Sequence, residues 1–257
     1  MLIRLAGLPA AAIHSTAGSM PMGVLVVAAP SGRIAPMALP ANPRYGEHAP
    51  SPRPGGKFAE EVSPFGISRT HLRGNVRETP GQRLDRMVDA VRFGLALRAG
   101  REGGSPPPLD VRTILCALVE AGVNFVLIGG WAETIHGSTA GTEEVAVLVE
   151  PGAANDAPLQ QALGSLAARP KQAQPDCGAA GTWETAAGRL VVWITLPTGP
   201  SAASVRQRAV QVDLGNCRLD VAALDDLERM LVGATTGLPL IRLEALRELR
   251  RLVAPTG

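Results

Sequence analysis

The sequence predicts an α/β (α+β) fold: a small mixed sheet flanked by helices, preceded by a largely disordered N-terminal tail. After about residue 110, short apolar runs alternate with amphipathic helical segments. Before residue 111 lie 14 of the 22 prolines, and this part has almost no periodic apolar pattern. A segment so poor in large apolar groups buries too little surface to offset the entropy cost of ordering.

The predicted boundaries follow from these patterns. Residues 1–82 form a Pro/Gly-rich disordered tail, residues 83–109 a helix and a linker, and residues 110–252 the folded domain. Only two of the 25 basic residues are lysine, and together with abundant Ala, Gly and Pro this is typical of GC-rich bacterial genes. Such genes carry long upstream reading frames. Translation from Met87, with part of the tail untranslated, is therefore a further hypothesis, which mass spectrometry of the native N-terminus tests.

Charge is distributed unevenly along the chain. Residues 1–110 carry 13 Lys/Arg and 8 Asp/Glu, whereas residues 111–257 carry 12 and 15. No stretch combines dense basic residues with aromatic ones, so nucleic acid is not an expected partner. No apolar stretch reaches the ~18 residues of a membrane span, and Pro9 and His14 interrupt the signal-like run at the N-terminus. We therefore expect a cytoplasmic protein that does not contact a membrane.

The three cysteines, Cys116, Cys177 and Cys217, are far apart and form no CxxC pair. An odd, scattered set argues against a disulfide scaffold and against a zinc site. Cys116 lies on an apolar helical stripe and is expected to be a core residue.

Within the domain, Asp110 is predicted to cap a helix over residues 111–121, which Gly122 ends. The continuous apolar run that starts at Phe125 indicates a strand covered on both faces. The other predicted elements are helices over 81–100 and 131–136, a strand over 144–149, a helix with Asn155 as its cap, a strand over 188–197, a hairpin that turns at residues 215–216, and helices over 224–231 and 240–252.

The segment FVLIGGWAETIHGSTAGTEEVAVLVE, residues 125–150, carries the strongest functional signal. It reads as a buried strand, a Gly-Gly pair, a short helix ending in His-Gly, a Thr-containing loop and a second strand. This pattern resembles the N-terminal half of bacterial nucleotidyltransferase-fold proteins, of the DNA polymerase β-like and toxin–antitoxin groups. The resemblance extends from about residue 110 to 252, is strongest over 118–150, and implies a nucleotidyltransferase-like fold.

The motif has a physical basis. Gly129 and Gly130 leave the backbone bare beside a helix N-terminus, where amides and the helix dipole favour a phosphate. Ser138 and Thr142 add hydroxyl donors, so these four residues are the predicted nucleotide-phosphate site. In the family this chain resembles, Asp-x-Asp on the second strand and a third carboxylate on a neighbouring strand hold the Mg²⁺ ions that bridge the phosphates.

This chain departs from the acidic part of the motif. Glu144 takes the first acidic position and is the candidate metal ligand, but Ala146 takes the second. The third position falls near Val191 or Val192, neither of which binds a metal. Loss of a metal-bridging carboxylate removes the charge on which phosphoryl transfer depends. The metal centre is therefore expected to be degenerate, and no residue is assigned a catalytic role.

Three functions stay open at this point. The first is a pseudoenzyme that retains nucleotide-phosphate binding or binding of a cognate partner protein. The alternative is an active toxin–antitoxin-type nucleotidyltransferase, with Mg²⁺ and an NTP as cofactors and a protein, RNA or small molecule as acceptor. The third is a toxin–antitoxin component that acts through binding alone. His136 is expected to be a packing residue, and Trp193 a core or pocket-wall residue.

Overall fold

The computed structural model describes residues 62–63, 65–139, 141–171, 181–196, 200–232 and 237–253. Residues 1–61, most of the tail predicted to be disordered, and Cys177 lie outside this part of the chain. The helices are α1 (Arg69–Arg77), α2 (Pro80–Glu102), α3 (Val111–Glu120), α4 (Gly129–His136), α5 (Ala153–Ser165), α6 (Ala202–Arg208), α7 (Leu224–Leu231) and α8 (Gly237–Val253). The strands are β1 (Phe125–Ile128), β2 (Glu144–Val149), β3 (Arg169–Lys171), β4 (Gly181–Thr185), β5 (Gly188–Trp193), β6 (Val210–Asp213) and β7 (Arg218–Val221).

The strands form one mixed sheet in the order β3-β4-β5-β2-β1-β7-β6. Strand β2 pairs antiparallel with β1 and parallel with β5, and β1 pairs parallel with β7. The outer pairs β3–β4, β4–β5 and β6–β7 are antiparallel. The predicted α/β fold, a mixed sheet flanked by helices, is confirmed.

Burial explains why β1 and β2 lie at the centre of the sheet. All four residues of β1 are buried, as a continuous apolar run predicts. Helix α4 contacts β1, β2, α2 and α7, while α3 contacts α5, β5 and β7. Helices thus cover the central strands, and the main hydrophobic core lies between these helices and the sheet. Among the described residues, no helix is both long enough and apolar enough to span a bilayer.

Several local predictions are confirmed. The Asp110 side chain accepts a hydrogen bond from the Thr113 amide at 3.1 Å, which caps α3. Gly122 follows the helix with φ +76°, in the left-handed region that favours glycine. Strand β2 and helix α7 have the predicted bounds, and β6 and β7 form the predicted hairpin.

The prediction of disorder is wrong for residues 65–82. Helix α1 lies in that segment, and its Leu72 is fully buried. The helix has few apolar residues, and contacts with distant segments hold it. Arg69 Nε donates to Glu248 Oε2 at 2.9 Å, and Asn75 Nδ2 donates to the carbonyl of Gly137 at 2.8 Å. Such contacts leave no periodic pattern in the sequence.

The odd, scattered cysteines, which argued against a disulfide scaffold, did not predict a disulfide that the structure contains. Cys116 of α3 and Cys217 of the β6–β7 turn are joined in a disulfide, with Cα atoms 5.6 Å apart. The two residues are separated by 101 positions. Sequence spacing did not indicate the pair because the hairpin reaches α3 only in the folded chain. Cys116 is nevertheless buried, as predicted.

Smaller differences concern the second half of the domain. Gly152 is the N-cap residue of α5, and the side chain of Asn155 instead donates to the carbonyls of Asn124 and Glu150. Strands β3 and β4 and helix α6 were not predicted, and β5 ends at Trp193. Strand β3 consists of only three exposed residues, too few to show an alternating pattern.

Candidate functional site

In the turn from β1 into α4, glycine backbone without side chains packs against the sheet. Gly129 has φ +69°, which only glycine adopts without strain. A Cβ built on Gly129 would lie 3.3 Å from the Cβ of Ala146, so the turn packs closely on β2. Ile128 is the N-cap residue of α4, and no side chain caps this helix. Its first-turn amides therefore lack a side-chain acceptor, an arrangement that suits an anion.

A cavity of about 320 Å³ lies at this turn. Its volume is at the lower end of the ~300–1,000 Å³ range of small-molecule sites. Elements that are far apart in sequence contribute to its wall. The lining residues are Ile128, Gly129, Gly130, Glu133, Thr142, Glu144, Ala146, Trp193, Leu196, Leu227, Met230, Leu231 and Arg242.

The charged residues of the wall are Glu133, Glu144 and Arg242. Arg242 donates from Nε to Glu133 Oε2 at 3.0 Å, and from Nη2 to Oε1. Glu133 is only 1% exposed, so this is a buried ion pair that joins α4 to α8. Glu144 is exposed and forms no ion pair within the described part of the chain.

The register of the central strands tests whether the wall fits a two-metal centre. Ala146 pairs with Ile128 of β1 and with Val191 of β5, so these three side chains share one face of the sheet. Val192, one residue on, faces the opposite side. No group of three or more metal-ligating side chains occurs among the residues that the structure describes. One exposed carboxylate, Glu144, does not make a site that bridges two Mg²⁺ ions.

The structure places the predicted site residues in two locations. Gly129, Gly130, Thr142 and Glu144 line the cavity together. The Thr142 hydroxyl lies 3.4 Å from the amide nitrogen of Glu144, from which it accepts a hydrogen bond. Ser138 is not a lining residue. It is buried beyond the C-terminal end of α4, where its amide donates to the carbonyl of Glu133 at 2.9 Å.

Sequence reasoning missed two parts of the site. The first is the Glu133–Arg242 pair, whose members are 109 positions apart. The sequence around Arg242 did not indicate a site, because Arg242 lies on a helix with several other arginines. The second is the apolar wall that α7 supplies through Leu227, Met230 and Leu231. The sequence predicted a helix over residues 224–231 but did not indicate that its apolar side chains line a cavity.

His136 takes no part in the cavity wall. Its Nε2 lies 2.8 Å from the carbonyl oxygen of Ala222, to which the neutral ring donates. Burial lowers the pKa of His136, the bond to Ala222 opposes this, and the positive charge of Arg83 lowers it further. The net shift is downward, so His136 is neutral at pH 7 and acts as a packing residue that bonds the end of β7.

The chain aligns with several solved structures at low sequence identity. No protein-family model and no curated protein sequence matches the chain. The antibiotic-resistance factor ANT(2'')-Ia aligns with a TM-score of 0.41 and 14% identity, over 56% of this chain and 82% of that chain. The lincomycin-bound lincosamide antibiotic adenylyltransferase LnuA aligns with a TM-score of 0.40 and 10% identity, over 55% and 99%. An antigenic nucleotidyltransferase-like protein from Paracoccidioides brasiliensis gives a TM-score of 0.36 and 13% identity, over 58% and 80%. Likenesses this weak carry no argument about activity.

Proposed function

We propose that residues 110–252 form a nucleotidyltransferase-type domain that binds a nucleotide in the cavity without transferring it. The likeness of segment 125–150 to the nucleotidyltransferase motif supports the family. The observation that carries the loss of transfer is the pairing of Ala146 with Val191 beside the Gly129 turn. Both positions require a carboxylate if the site is to hold bridging metal ions.

Transfer of a nucleotidyl group needs that metal charge. Mg²⁺ neutralises the phosphates and stabilises the charge that develops on the attacking and leaving oxygens. Glu144 alone supplies one carboxylate, and the other carboxylate of the wall, Glu133, is occupied by Arg242. The wall therefore lacks the donors for this chemistry, whereas the features that receive a ligand are retained.

The features of the cavity wall match the phosphate, the base and the sugar of a nucleotide. The uncapped first turn of α4 offers amides to a phosphate. Trp193 and the apolar side chains of Leu227 and Met230 offer a surface on which a base packs. Thr142 and Glu144 offer polar groups to a sugar. The cavity volume of about 320 Å³ matches a small ligand.

A thermal-shift series on the full chain tests this function. Each of the four NTPs, and each corresponding monophosphate, is added with Mg²⁺ or with EDTA. A ligand at a hundredfold excess over its Kd stabilises the folded state by about 2.7 kcal/mol. We expect stabilisation by at least one nucleotide, of equal size in EDTA. Failure of every nucleotide to raise Tm would overturn nucleotide binding.

A parallel assay tests the loss of transfer. The chain is incubated with labelled NTP and Mg²⁺, and any labelled product is measured. We expect none. Labelling that needs Mg²⁺ and disappears in Glu144→Ala would establish the alternative, an active nucleotidyltransferase.

A second candidate function is binding of a cognate protein beside the cavity. Val232, Leu238 and Ile241 are 66%, 61% and 43% exposed, respectively, and they flank the lining residues Leu231 and Arg242 in sequence. Exposed large apolar side chains are typical of surfaces that contact another protein. Co-expression with the product of the neighbouring gene tests it. Leu238→Asp should abolish co-elution, whereas Val253→Asp, at the far end of α8 and 55% exposed, should not.

A further inference from the structure

We infer that Arg242, held in place by the buried Glu133, binds the phosphate of a nucleoside monophosphate, and that the cavity prefers this ligand to a triphosphate. This inference rests on the proposed function, because it names the class of nucleotide that the same cavity takes. Arg242 lies outside the glycine motif, so phosphate recognition would also involve a side chain from α8.

The geometry of the pair leaves part of the guanidinium group available. The Nε and Nη2 edge of Arg242 faces the Glu133 carboxylate. Nη1 has no acceptor in the described part of the chain, and the side chain, 24% exposed, lines the cavity. A guanidinium group carries five N–H donors in a fixed plane, so an arginine that is already paired can still donate to a phosphate oxygen.

Glu133 determines where those donors point. It is 1% exposed and lies three and four residues after Gly130 and Gly129, so it shares a face of α4 with the glycine turn. The two parallel hydrogen bonds of a guanidinium–carboxylate pair fix the plane of the arginine. Glu133 therefore acts as a positioning residue that keeps Arg242 in the same cavity wall as the first turn of α4.

The charges around the cavity disfavour a ligand with a large negative charge. Glu133 and Arg242 neutralise each other. Glu144 lies directly opposite Arg189 in the β2–β5 register, and Arg189 in turn bonds Glu184 at 3.0 Å. Of the three charged residues of the wall, Glu133 and Arg242 form a pair and Glu144 is left as a carboxylate without an ion-pair partner among the described residues, and the donors for Mg²⁺ are missing. A phosphate monoester carries about 1.5–2 negative charges at pH 7, and each further phosphate adds charge that nothing here offsets.

Three ligand classes distinguish this inference from the proposed function. Isothermal titration of the full chain compares each nucleoside with its monophosphate and triphosphate, in EDTA and in Mg²⁺. We expect at least one monophosphate to bind about tenfold more tightly than its nucleoside, as for one charge-assisted hydrogen-bond contact. The triphosphate should bind no more tightly than the monophosphate, with or without Mg²⁺.

A matched pair of variants tests the residue assignment. Glu133→Gln combined with Arg242→Gln replaces the ion pair by two amides that hydrogen-bond each other, so that no charge is left buried. This double variant should lose the preference, so that the monophosphate binds no more tightly than the nucleoside to the same variant. The control is Arg247→Gln on the same helix, since Arg247 pairs with Glu244 at the surface and does not line the cavity. It should retain the tenfold preference.

Each outcome has a defined meaning. If no nucleoside or nucleotide binds the unmodified chain, both the proposed function and this inference fail. If nucleosides and their monophosphates bind equally well, or the double variant keeps the preference, the proposed function stands and the inference about Arg242 fails. A triphosphate that binds more tightly than the monophosphate in Mg²⁺ overturns the preference for one phosphate. If the double variant unfolds, its Tm will show this. Arg242→Lys, which keeps the charge but loses the planar fork, is then tested instead, and we expect it to lose part of the preference for the monophosphate.

Discussion

Two buried carboxylates in this domain each pair with an arginine, but their surroundings differ. Glu133 of α4 is 1% exposed and Asp226 of α7 is fully buried, and each forms paired hydrogen bonds with an arginine. Arg242, the partner of Glu133, lines the cavity, whereas Arg208, the partner of Asp226, does not. Asp226 also accepts a hydrogen bond from Arg229 at 3.1 Å and lies in the first turn of α7. The two ion pairs therefore differ in whether the arginine also faces the cavity.

The two ion pairs should differ most in their contribution to stability. Arg242→Ala leaves Glu133 buried without a partner, and we expect it to lower the free energy of unfolding by about 3–5 kcal/mol. Arg208→Ala should cost less, because Arg229 and the N-terminus of α7 still stabilise Asp226. Urea unfolding of both variants measures the difference. Equal costs would show that the two carboxylates have the same environment.

The disulfide should stabilise the region of Asp226 without affecting the cavity. It joins α3 to the hairpin that precedes α7, and neither cysteine lines the cavity. Removing both cysteines by Cys116→Ala and Cys217→Ala should cost about 2–4 kcal/mol, since the bond closes a long loop. Urea unfolding gives this cost, and nucleotide affinity should not change. Cys177→Ala is the control for loss of a thiol. An unchanged midpoint would show that the two cysteines contribute no cross-link.

Gly129→Ala tests the cavity side with a smaller change. The substitution forces an alanine into φ +69° and brings its Cβ to 3.3 Å from that of Ala146. We expect a loss of about 1–2 kcal/mol in stability, together with weaker nucleotide binding. Gly94→Ala is the control, because Gly94 lies within α2 with no atom near its added Cβ. That change should stabilise the chain by roughly 0.5–1 kcal/mol.

The smallest effect is the contribution of His136 to the pH dependence of stability. Its pKa is lower in the folded chain than the value of about 6.5 expected when unfolded. The unfolded state therefore binds more protons than the folded state just below pH 6.5. The stabilising contribution of neutral His136 is complete above pH 6.5 and is lost as the pH falls through the folded-state pKa. Unfolding measured between pH 5 and 7.5 should show a smaller dependence in His136→Gln than in the unmodified chain, and equal slopes would contradict this.

Much of the fold could be predicted from local sequence. Strand β2, helix α7 and the β6–β7 hairpin followed from apolar runs, charge at a helix start and a glycine turn. Helix α1 and the Cys116–Cys217 bond did not, because each depends on a partner from another part of the chain. The same limit applied to the candidate site. Its glycines stood out within one continuous segment, whereas Arg242 reaches Glu133 from 109 positions away.

Local sequence is enough to predict the β1–α4–β2 unit and to show that position 146 has no carboxylate, because secondary structure and a motif on one strand are local properties. The position of Val191 beside Ala146, and the cavity that α7 and α8 close over the glycine turn, depend on tertiary packing. Strand register and helix packing depend on the burial of apolar surface throughout the domain. Contacts between distant segments, including the ion pair in the cavity wall, therefore exist only once the whole core has assembled.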